Sequence, residues 1–153
     1  MATWTMPLYM TAFRNALRGR AGLVNVQVMS APIDKSISEL EVITVIDVDT
    51  DEEQTTVGNQ ARGRTERYTL EGVLQVLVAG EGEEDAVTAR DRAAELLAEI
   101  EMEVRDNPDM GLNGPGNQVI MKSEVTKKRL RQAIQDGYRR AVIEFDVLVT
   151  TRI

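Results

Sequence analysis

Three aspartates at alternate positions, in Asp47-Val48-Asp49-Thr50-Asp51, are the residues of this chain whose type and spacing come nearest to a metal site. They reproduce the D-x-D-x-D opening of a calcium-binding loop. Such a loop also takes a glycine at its sixth position, for the sharp turn, and a bidentate glutamate at its twelfth. Those positions hold Glu52 and Gly58, and an apolar strand pattern leads in where a helix is required. The acids therefore read as keeping an exposed loop solvated or as contacts for a basic neighbour. A metal-assisted hydrolase built on Asp47, Asp49 and Asp51 is the rival reading. A second acidic row, Glu95, Glu99 and Glu103, recurs every four residues. On the polar side of its helix and without histidine partners, it reads as solvent-exposed.

The chain contains neither histidine nor cysteine. That removes Ser–His and Cys–His nucleophilic catalysis and every imidazole or thiolate metal ligand. Only carboxylate, lysine or hard-metal chemistry remains, so the chain is expected not to be an enzyme and to carry no cofactor. Gly111-Leu-Asn-Gly-Pro-Gly116 is not a phosphate-cradling loop, because it follows a helix, leads into a strand and lacks the GK[ST] sequence.

The basic residues gather late. Lys127, Lys128, Arg129 and Arg131 are expected to face Arg139 and Arg140 across a hairpin, placing six bases on one ribbon. A two-stranded basic ribbon can contact phosphates, and DNA binding through this hairpin is a further alternative. Yet no aromatic platform is interleaved for base stacking, and the whole chain carries a net charge of −7. Docking onto an acidic protein surface is the better reading.

The elements that must position these groups follow from periodicity. Pro7 to Arg18 has apolar residues at helical spacing, and Gly19 can end the helix. Residues 22–28 and 41–49 read as strands, the second so continuously apolar that both its faces should be covered. Residues 49–64 turn polar with no period and read as a long loop. Glu66 to Ala79 alternates as a strand, with Tyr68, Leu70, Gly72, Leu74, Val76 and Val78 on one face. Glu83 to Arg105 is a helix with one apolar stripe through Ala89, Ala93, Leu97, Ile100 and Val104, stopped by Pro108. A hairpin over about 118–151 turns at Asp136-Gly137, a pair suited to the positive φ angles of a type I′ turn. The expected fold is a single α+β domain over 1–153. Its mixed, mostly antiparallel sheet of about five strands has two helices packed on one face. No apolar run is long enough to span a bilayer. The start of the chain lacks a secretory-signal pattern, and the absence of cysteine fits a reducing compartment.

Charge is partitioned along the chain. Residues 41–61 carry six acids and no base, residues 81–110 eleven acids against three arginines, and residues 111–153 eight bases against four acids. Opposite charges on separate surfaces of one chain suit pairing between copies.

The order of these segments resembles a known family. "LRGRAGLVNVQV", the break "SAPIDKS", the strand "ELEVITVIDV", "RTERYTLEGVLQVLV", the helix "AVTARDRAAELLAEIEMEVRDNPDMGLNG" and the closing "RRAVIEFDVLVTTRI" are similar to the tail terminator, or tail completion, proteins of long-tailed phages. The similarity covers nearly the whole chain. It rests on element order, the "ARDRAAEL" helix, the D-x-x-L-N-G turn and the closing strand. Other neck, head-completion and tail-tube subunits share the size and make-up and form the alternative. The resemblance implies a homo-hexameric ring seated on the last ring of the tail tube. There it stops tube polymerisation, offers a surface to the head connector and lets phage DNA pass non-specifically. It places the chain in the virion, and in the host cytoplasm during assembly. Contacts with neighbours or tube are expected at Asp49, Asp51, Glu52, Glu53, Arg62 and Arg64 of the loop, and at Lys127, Lys128, Arg129, Arg131, Arg139 and Arg140 of the hairpin.

Overall fold

A computed structural model describes residues 6–30, 40–54, 64–114 and 119–152. Helix α1 (Met6–Arg18) buries Tyr9, Phe13 and Leu17, one residue from each turn. Its last residue, Arg18, donates through Nε and Nη2 to the Val28 carbonyl at 3.2 and 2.8 Å. That ties the helix end to strand β1 (Gln27–Ser30). The first strand therefore starts later than the sequence reading placed it. Ala21–Leu23 instead forms a single 3-10 turn that buries Leu23.

Strands β2 (Glu41–Gln54) and β3 (Arg64–Ala79) form a long antiparallel pair. The polar stretch from Asp49 onward, read as loop, is strand as far as Gln54, and Arg64 already belongs to β3. The physical reason is cross-strand pairing. The ladder continues through Asp51 opposite Arg67 and Glu53 opposite Thr65, so backbone hydrogen bonds extend it where no apolar period marks it. The rest of that loop, including Arg62, lies outside the described residues.

Helix α2 (Glu83–Asp106) follows, with Ala89, Ala93, Leu96, Leu97, Ile100 and Val104 buried. Three acids fill its first turn, where the helix dipole favours them, and the Asp85 carboxylate accepts from the Gly82 N–H at 3.2 Å. The chain closes with β4 (Val119–Gln135) and β5 (Tyr138–Arg152). Asp136 and Gly137 between them have φ of 39° and 80°, as the type I′ reading requires.

The five strands lie in the order β1-β2-β3-β5-β4. Only β1–β2 is parallel; the other three pairings are antiparallel. The fold is thus α+β with a mixed, mostly antiparallel sheet. One sheet face holds Tyr68, Leu70, Leu74 and Val76 of β3 with Ala141, Ile143, Phe145, Val147 and Val149 of β5, all buried. The helices cover that face: the Tyr9 ring of α1 meets the Tyr68 ring edge-on at 5.9 Å. Residues 42–45 of β2 are buried on both faces, as their continuous apolarity implied.

Candidate functional site

The hairpin's bases do not meet as the sequence reading expected. The two-residue turn fixes the register so that Lys127 lies opposite Asp146, Lys128 opposite Phe145, Arg129 opposite Glu144 and Arg131 opposite Val142. Arg139 and Arg140 oppose Ile134 and Ala133 instead. Strand alternation then divides the six bases. Lys128 and Arg139 share the helix-covered face. Lys128 Nζ lies 2.5 Å from Glu101 of α2, and the Arg139 guanidinium donates to the Glu81 carbonyl. Gln132, on the same face, donates to the Ala86 carbonyl at 2.9 Å. Lys127, Arg129, Arg131 and Arg140 lie on the opposite face. There Arg140 Nε donates to Gln75 Oε1 at 2.9 Å, and Arg131 approaches Glu144 at 3.8 Å. Among the described residues, Lys127 and Arg129 are committed to no ion pair within the chain.

The acidic helix is partly neutralised within the chain. Arg20, just beyond α1, reaches Glu99 at 2.5 Å and Glu103 at 2.7 Å. Their hydrogen bonds, Glu99's first, hold the Arg20 guanidinium above its ordinary pKa. Glu99 and Glu103 are thus half-buried partners of one arginine, not the solvent-exposed row expected; Glu95 alone is exposed. Gly22 makes room for this clamp, since a Cβ there would lie 2.5 Å from the Glu99 carboxyl carbon. Arg92 makes a second clamp, with Glu41 at 2.5 Å and Glu95 at 3.0 Å. It joins α2 to the start of β2. Sequence reasoning missed both, although each is a lone arginine whose partners are glutamates at helical spacing or far along the chain.

Asp49, Asp51, Glu52 and Glu53 all lie in β2, and Arg64 opens β3. An extended strand separates alternate residues by about 7 Å and does not wrap around an ion as a calcium loop does. Among the described residues no group of three or more acids could hold a metal. The Gly111 region is a turn: Met110 and Gly111 have positive φ, and Asp109 Oδ1 accepts from the Gly111 N–H at 3.0 Å. Asn113 Oδ1 accepts from the Ile120 N–H at 2.7 Å, and its Nδ2 donates to the Ile120 carbonyl at 3.0 Å. That amide acts as a strand partner for the start of β4, which explains the L-N-G of the motif.

The dominant surface feature is an edge. β4 ends the sheet, runs for 17 residues, and is exposed at every position from Thr126 to Ile134. Among the described residues no helix is long and apolar enough to cross a membrane.

The architecture has a known counterpart. The chain is similar to a chain of the virion of a native gene transfer agent particle, with a TM-score of 0.55 and 15% identity. The alignment covers 97% of this chain and 99% of the other, so the likeness spans the whole fold. No protein-family model and no curated protein matches the sequence. At this identity the likeness is one of fold.

Proposed function

We propose that this chain is a structural subunit of a phage-like virion and, within it, the terminator of the tail. It forms a ring, a homo-hexamer by family resemblance, at the head-proximal end of the tail tube. There it stops tube polymerisation and joins the tail to the head connector, with DNA passing through non-specifically. The observation that carries the coarser reading is the end-to-end likeness to a virion chain, with almost nothing left over on either side. The finer reading draws on the resemblance of segment order and on the long exposed edge of β4, which suits assembly between subunits. The role asks for shape and charge and for no reactive centre.

Electron microscopy of the assembled particle tests it by position. A single ring of this chain between tube and connector is the expected result. Many stacked rings along the tail would make it a tube subunit, and a place within the connector would make it a head-completion protein.

A further inference from the structure

We propose that the outer edge of β4 is a seat for a second copy of this chain, which adds by antiparallel strand pairing through its acidic β2 stretch, Asp47 to Glu53. The inference rests on the ring reading and deepens it by naming the surface through which copies join.

Long exposed edge strands template pairing with other chains unless they are blocked. The block on this edge is selective. Lys127, Lys128, Arg129 and Arg131 fall within five residues. A symmetric β4–β4 pairing would set this cluster against itself, and like charges facing each other across strands are destabilising. An acidic strand is the permitted partner, so the contact joins two different patches, the kind that closes rings. The chain supplies such a strand: Asp47, Asp49, Asp51, Glu52 and Glu53 fall within seven residues that contain no base.

The sheet topology places the two at opposite sides. β4 is terminal on one side; on the other, β1 lies beside β2 only as far as Val45. Three successive antiparallel pairings make β4 run opposite to β2. A neighbour in the same orientation therefore offers β4 antiparallel to β2, and the sheet continues without inverting either copy.

The offset follows from β1. Within one copy, Arg129 shares a row with Glu144, Val73 and Thr44. Because β1 covers β2 at residues 42–45, an incoming β4 must slide toward the acids. Opposing Arg129 to Asp49 displaces it by five residues from Thr44, about 16 Å at ~3.3 Å per residue. A regular stagger between strands is also what lets a continuous sheet curve into a closed wall. Beside the bases, Leu130 and Ile134 are 45% and 68% exposed on the helix side of β4, apolar surface that a second copy would cover.

A charge swap in the full-length chain tests this. One variant carries Lys127→Glu and Arg129→Glu; the other carries Asp49→Lys and Asp51→Lys. Oligomeric state is read by sedimentation from micromolar to millimolar concentration, at low and high salt. The wild type is expected to assemble, and less so in high salt. Each variant alone should assemble at least about tenfold more weakly, since rim charges of this kind set partner choice. Mixed in equal amounts, the two should restore an assembly with alternating subunits, which also shows that both fold. Variants that assemble like the wild type, or a mixture that stays dissociated, overturn the edge pairing while leaving the ring reading standing. A wild type that remains monomeric throughout overturns both.

Discussion

Gly72 and Phe145 face each other across β3 and β5, and a Cβ on Gly72 would lie 2.3 Å from Phe145 Cζ. The missing side chain is the space that the phenyl ring occupies. Phe145 is 1% exposed and forms the centre of the helix-covered face, so the ring has nowhere else to go without repacking under α2.

Replacing Gly72 with alanine should therefore overpack this site, at a cost of about 1–3 kcal/mol despite alanine's better strand propensity. Chemical denaturation would show it as a lower midpoint at unchanged slope. Gly72→Ala combined with Phe145→Leu should recover part of the loss, and equal stability of Gly72→Ala and wild type would show that the ring can shift freely.

Asn113→Ala removes both side-chain bonds to Ile120 and leaves the backbone N–H and carbonyl at the start of β4 without those partners. The expected loss is roughly 1–3 kcal/mol. Amide exchange at Ile120 should speed up more than exchange at the hairpin turn. Uniform acceleration along the strand would contradict a local role.

Arg20→Ala leaves Glu99 and Glu103 half-buried with no cation between them. A loss of about 2 kcal/mol is expected, because stranding charged partners costs more than the net worth of the pair. Arg20→Lys should recover little of it, since one ammonium cannot match the fork that reaches both carboxylates. Thermal melts of the two variants decide the point.

Burial raises the Tyr9 phenol from 10.0 to about 12, against the opposing effect of its hydrogen bond to Ser123. Because the folded-state value is the higher one, the folded protein holds this proton more tightly. The stability so contributed is fully present below pH 10 and is lost as pH rises toward 12. Tyr9→Phe should be the less stable protein near neutrality, by about 1 kcal/mol for the lost hydrogen bond. It should also lose less stability than the wild type across the alkaline range. Parallel pH profiles would contradict the assignment.

Much of this fold was legible because its signals are local. The alternation through Ile143, Phe145 and Val147, the stripe through Ala89, Ala93 and Ile100, and the Asp136-Gly137 turn each depend on residues close in sequence. What the sequence obscured depends on distant pairing. The strand from Asp49 to Gln54 has no apolar period, and only its partners on β3 hold it extended. The hairpin bases were legible as a group, but the register that separates Lys127 from Arg139 follows from counting back from the turn. The Arg20 clamp joins residues 79 apart in the chain, and no local pattern announces it.

Native mass spectrometry of the purified chain, alone and with the tail-tube protein, tests the central claim most directly. A subunit that acts by ringing the end of a tube should give one dominant closed oligomer of the 17.0 kDa chain, a hexamer, that also appears bound to a tube ring. A monomer at every concentration, with no complex formed in the presence of tube protein, would contradict the account.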